Sequence, residues 1–158
     1  MRPETEEHNV LNQIIANISQ LKINVQQIHW YMRGQDFFKL HPLMDDYQDQ
    51  LSDQLDEIAE RLISIGGEPY STVHEFLDHS EIKDEKIKFG EYSLPELVER
   101  LVKDWEILRE QYTKGILLTD KVQDFATQDI LNGFQAECDK NIWMLKAFLD
   151  QPVRDSLD

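Results

Sequence analysis

Apolar residues return at every third or fourth position along four long stretches of the chain, the spacing of a helix with one buried face. The first stretch predicts a helix from about Glu6 to Met32, with Val10, Leu11, Ile14, Ile15, Ile18, Leu21, Val25 and Ile28 on its apolar side. At about 100° per residue these positions fall within an arc of roughly 140°. Gly34 supplies the stop. The second runs from near Leu40 to Gly66-Gly67 on a face of Leu43, Met44, Tyr47, Leu51, Leu55, Ile58, Leu62 and Ile65, with Pro42 placed in its first turn, where a missing N–H is harmless. The third opens on Ser93-Leu94-Pro95-Glu96, a capping box in which the hydroxyl accepts from a first-turn N–H and the glutamate reaches back. It continues through Leu97, Leu101, Trp105, Leu108 and Tyr112, with Gly115 expected to loosen it ahead of Asp120. The fourth spans about Asp124 to Leu149 through Phe125, Ile130, Phe134, Ile142, Leu145 and Phe148.

Between the second and third stretches the pattern weakens. Ser71 is placed to cap a short helix from Thr72 to Leu77, and the polar segment from His79 to Gly90 reads as connection. A connection this long suits a crossover between helices that point the same way. The expected architecture is all-α: one four-helix-bundle domain over residues 1–158, with a short extra helix in the long crossover.

Composition narrows the partners. Six Gly and five Pro among 158 residues leave few places to turn, which favours long helices over many strands. The net charge of −15 repels nucleic acid and anionic lipid and attracts cations, although on composition alone simple solubility is the better account of such a charge. Cys138 is the sole cysteine, so one chain holds neither a disulfide framework nor a thiolate cluster, and a buried inert thiol is expected. The start MRPETEEH lacks the basic and apolar character of a signal peptide, and no run of eighteen apolar residues occurs. A cytoplasmic protein with no membrane association is the expectation.

The candidate chemistry lies between His29 and Glu60. With Asp45 at zero on the helical wheel, Asp56, Asp49, Glu60 and Asp53 fall at about 20°, 40°, 60° and 80°, and His41 at about −40°, opposite the apolar face. Like charges one turn apart repel, and Asp is a poor helix former. Two readings fit: a solvated outer face, or a stripe whose cost bound cations reduce. Carboxylates with imidazoles suit Fe(II), Mn(II) or Zn(II). His29 lies inside the apolar arc of the first helix, as a satisfied core histidine or as a ligand. Neither Glu-x-x-His nor His-Glu-x-x-His occurs, which argues against a di-iron core within one chain and leaves open a site shared between chains.

His29-Trp30-Tyr31-Met32-Arg33-Gly34, Phe37-Phe38, Leu40-His41, Met44-Asp45-Asp46 and Asp56-Glu57-Ile58-Ala59-Glu60-Arg61 together resemble the ferroxidase signature of the Dps mini-ferritins. Gly66-Gly67-Glu68-Pro69, Leu118-Thr119-Asp120-Lys121 and Ile142-Trp143-Met144-Leu145-Lys146-Ala147-Phe148-Leu149 extend the resemblance over nearly the whole chain. It implies a ferritin-like bundle assembled as a homododecameric hollow shell. It also implies a ferroxidase with two iron ions per site at a two-fold interface and no organic cofactor. His29, His41 and Asp45 would come from one subunit, Asp56 and Glu60 from its partner. Fe(II) would be oxidised by hydrogen peroxide in preference to dioxygen and stored as ferric mineral, protecting against oxidative stress. Trp30 would lie beside the site, as a redox residue or as interface packing. Asp120, Asp124 and Asp129 match acidic pore positions, although helix capping also accounts for the first two, and Asp49 and Asp53 are candidates to face the cavity. One departure matters. The tails, with Arg2 against Glu4, Glu6 and Glu7 at the start and Arg154 against Asp155 and Asp158 at the end, lack the basic character with which many Dps proteins condense DNA. No DNA binding is expected.

Overall fold

The computed structural model describes residues 5–154. Arg2, Glu4, Asp155 and Asp158, on which the reading of the tails partly rests, lie outside the described residues. Five helices follow one another: α1 (Glu6–Tyr31), α2 (Phe37–Ser64), α3 (Val73–His79), α4 (Leu94–Val122) and α5 (Phe125–Phe148), with no strand among the described residues. The four long ones form the bundle. Short links make α1–α2 and α4–α5 antiparallel neighbours. Their apolar faces meet in one core around Trp105, Tyr112, Ile14, Ile18, Leu51 and Leu101, all essentially inaccessible to water. Each such aliphatic side chain contributes about 1.5–3 kcal/mol by its burial. Cys138 is buried there too, and burial holds its thiol protonated far above the physiological range.

The crossover is tied down by amides that periodicity does not reveal. It starts beside the beginning of α1, where the His8 ring nitrogen contacts the carbonyl of Ile65 and Asn12 bonds both Glu68 and Tyr70. It then runs parallel to α1. Gln13 donates to the carbonyl of His79, Asn17 accepts from the N–H of Glu81, Gln20 donates to Asp84, Asn24 to the carbonyl of Lys83, and Gln27 to the carbonyl of Glu85. Spaced three or four residues apart, these amides form a polar stripe on one flank of α1. Ile82 and Ile87 plug the core between them. The chain thus reaches the far end of α1, where Arg33 packs over Phe89, before α4 begins. That end is also where α2 starts, so α2 and α4 run the same way.

Three boundaries and one interior position differ from the expected ones. Helix α2 begins at Phe37 instead of Leu40, because Gly34 and Asp36 both take positive φ (100° and 70°) and turn the chain sooner. Pro42 therefore sits in the second turn, inside the helix, and leaves the Phe38 carbonyl without its usual donor. The short helix is capped by Thr72, not Ser71, through a capping box with Glu75, and extends to His79. Gly115 does not loosen α4. It is buried, and a Cβ there would lie 2.7 Å from Leu131 and 3.3 Å from Val10, so its bare backbone lets α1 and α5 approach.

Candidate metal centre

The site grows out of the α1–α2 corner. His29 stands in the last turn of α1, and the tight link returns the chain so that the first turns of α2 lie against it. On α2, Phe37, His41 and Asp45 follow at intervals of four and form one ladder. The His29 and His41 rings stack with centroids 3.6 Å apart and planes 16° apart. Their backbone bonds are reciprocal: Nδ1 of His29 lies 2.9 Å from the carbonyl oxygen of His41, and Nδ1 of His41 lies 2.9 Å from that of His29. A carbonyl only accepts, so both Nδ1 atoms carry the proton. Both Nε2 atoms are left with free lone pairs, the form in which imidazole binds a metal. Nε2 of His29 lies 3.8 Å from Oδ1 of Asp45, whose side chain is exposed.

Asp56 and Glu60 do not join this group within one chain. They continue the exposed stripe of α2 together with Asp49 and Asp53. Eleven residues of helix separate Asp45 from Asp56, about 16 Å along the axis. Among the described residues, no three His, Cys, Asp or Glu side chains are grouped to hold a metal ion. The chain brings His29, His41 and Asp45 to one corner and carries Asp56 and Glu60 further along the same helix. Exposed Trp30 and Phe38 flank the histidines.

The three pore candidates part company. Asp120 and Asp129 are exposed at the α4–α5 corner. Asp124 instead caps α5, accepting from the N–H and hydroxyl of Thr127 and pairing with Arg61 at 3.0 Å. Burial opposes its charge, but the Thr127 and Glu7 hydrogen bonds and the Arg61 guanidinium outweigh it and hold the carboxyl at about 2. Glu7 gives the complementary picture: burial, then the hydrogen bond and charge of Asp124, push it up to about 7 against the pull of Arg61. Nothing in the helical pattern signals this clasp between the start of α1, the end of α2 and the start of α5.

A ferritin-like domain signature matches residues 8–154. The DNA protection during starvation protein of Listeria innocua is 45% identical over 143 residues, covering 88% of each chain. That of Streptococcus suis is 40% identical over 144 residues, covering 90% of this chain and 82% of that one. The X-ray structure of Dps from Listeria monocytogenes superposes with a TM-score of 0.91 at 43% identity, covering 95% of this chain and 97% of that one.

Proposed function

The chain belongs to the Dps proteins of the ferritin-like family, and on that premise we propose that it is a ferroxidase that oxidises Fe(II) at a site completed between two copies. One observation carries the reading. Two imidazoles are locked with both Nε2 atoms free near Asp45, while Asp56 and Glu60, the carboxylates needed to finish a site, lie about 16 Å and about 22 Å further along the same helix. Two copies of α2 paired antiparallel across a two-fold axis bring Asp56 and Glu60 of each to the histidines of the other, forming two equivalent sites.

Iron is substrate and cargo here. The neutral imidazoles fix the position of Fe(II), and the carboxylates offset the charge gained as Fe(III) forms. Two ferrous ions give up one electron each, the O–O bond of hydrogen peroxide breaks, and both oxygens leave as water or mineral oxide. Dioxygen needs four electrons to reach water, so the two ferrous ions of one site reduce it only to hydrogen peroxide. Ferric product hydrolyses in the cavity of a homododecameric shell, on the face that carries Asp49 and Asp53. Asp120 and Asp129 draw cations to the entry pore, with Asp124 as the clasp that shapes its rim. Removing Fe(II) and peroxide together suppresses hydroxyl-radical formation in the cytoplasm. Trp30 takes stray oxidising equivalents or packs the interface.

The test adds substoichiometric hydrogen peroxide to anaerobic protein loaded with Fe(II) and follows ferric absorbance during size exclusion. Wild type should colour rapidly, with iron co-eluting with a large oligomer. His29→Ala combined with Asp56→Ala should abolish fast oxidation and leave assembly intact. Unchanged oxidation in that variant sinks the site.

A further inference from the structure

We propose that Phe37 is a positioning residue for metal binding: its ring holds the His41 imidazole in the one orientation that directs Nε2 into the site. The inference rests on the reading of His29 and His41 as ligands.

His41 is enclosed on both faces. His29 stacks on one, with centroids 3.6 Å apart and planes at 16°. Phe37 stacks at 4.7 Å and 25°. Two rings this close and this nearly parallel to His41 would overlap on a single face, so Phe37 covers the other one. Phe37 and His41 lie one turn apart on α2, the spacing at which helix side chains meet. Phe37 is itself half-buried against the core and is braced edge-on by Phe38 at 5.6 Å. It therefore presents a fixed surface.

The orientation of His41 needs such a surface. Half a turn about Cβ–Cγ leaves an imidazole almost the same shape but exchanges Nδ1 with Cδ2 and Nε2 with Cε1. In the turned ring the bond to the His29 carbonyl is lost, and carbon replaces nitrogen at the site. Torsions of this kind are broad and two-fold, so one hydrogen bond alone discriminates weakly between the two orientations. A ring turning between His29 and Phe37 collides with both. Removing Phe37 leaves His29 as the one face-on neighbour, so the ring tilts over a wider range and meets the His29 carbonyl a smaller fraction of the time. The histidine then has to be re-ordered each time a metal binds.

The experiment uses the full chain, assembled and anaerobic, with Co(II) as a redox-inert probe read by calorimetry and by its visible ligand-field bands. Phe37→Leu, which keeps most of the apolar volume, should bind Co(II) about three- to tenfold more weakly, the range expected for loss of one aromatic pair. The loss should appear as slower binding, with an altered band shape. Phe37→Tyr, which restores the ring, should bind as wild type does. If the leucine variant does not assemble, Phe37→Met takes its place with the same expectation. Wild-type affinity and bands in Phe37→Leu, alongside defective binding in His41→Ala, overturn the role of Phe37 and leave the ligands standing. A tyrosine variant as weak as the leucine variant overturns it too, since stacking is then not the operative property. Unchanged binding in His41→Ala removes the ligand reading and this proposal with it.

Discussion

Asp104 shows how one residue records its surroundings. It lies beneath the crossover, where Nδ2 of Asn24 donates to it at 2.9 Å. Burial pushes its carboxyl from an ordinary 3.8 up to about 6, offset in part by that hydrogen bond and by Arg100. The unfolded chain therefore gives up this proton first as pH rises. The stability contribution is fully present below about pH 4 and is lost as pH rises through 6. Asp104→Asn keeps an acceptor for Asn24 and removes the titration. It should raise the melting temperature at pH 8 by several degrees, for a gain on the order of 1–3 kcal/mol, and change little at about pH 3.5. Calorimetry of both proteins at both pH values checks this, and an equal gain at both would assign the effect to something other than charge.

At the scale of elements, the clasp of Glu7, Asp124 and Arg61 joins helix ends that share no turn. The folded protein raises Glu7 from 4.5 to about 7, so its contribution is present in mild acid and is lost as pH rises through 7. Glu7→Gln, which donates to Asp124 without titrating, should flatten the fall in melting temperature between pH 5.5 and 8.5; a fall as steep as in wild type would place its origin elsewhere. The amide stripe of α1 makes a second prediction. Asn17→Ala with Asn24→Ala should speed amide hydrogen exchange in residues 80–85 by about tenfold or more, at roughly 1 kcal/mol per lost bond, and leave α5 unaffected. Helix number, order and apolar faces were legible in the chain because a 3.6-residue period reports burial directly. The stripe was not, since Asn and Gln at helical spacing look solvated until another segment lies over them. The start of α2 was misplaced because Pro42 suggests a first turn, whereas the positive φ of Asp36 sets the true one. At the site, residue types and the shared face could be read from the wheel. The stacking of His29 on His41 depends on how the corner closes, and the pairing of Asp124 with Arg61 and Glu7 depends on contacts between distant segments.

For the whole molecule, charge and apolar exposure point in complementary directions. The chain carries −15, and its described surface exposes Trp30, Phe38 and Ile63 on α1 and α2, Leu117, Val122 and Phe125 near the α4–α5 corner, and Trp143, Met144 and Phe148 on α5. Exposed apolar side chains in such number are what contacts between copies in the proposed shell would cover. Multiplying the acidic charge over many copies opposes contact with a polyanion. Plasmid DNA mixed with the assembled protein at about 0.15 M salt should therefore migrate unshifted; compaction or retention would mean that the tails override the net charge. Among the described residues, no helix is long and apolar enough to cross a membrane.

The reciprocal bonds of His29 and His41 bear on how such a site withstands mutation. Metal-binding histidines are commonly oriented by a carboxylate, which a single codon change deletes. Here the orienting acceptors are main-chain carbonyls, and they belong to the two proposed ligand residues themselves. No substitution elsewhere in the chain deletes either acceptor. Phe37 apart, the surrounding core is free to drift in sequence as long as the corner between α1 and α2 keeps its shape.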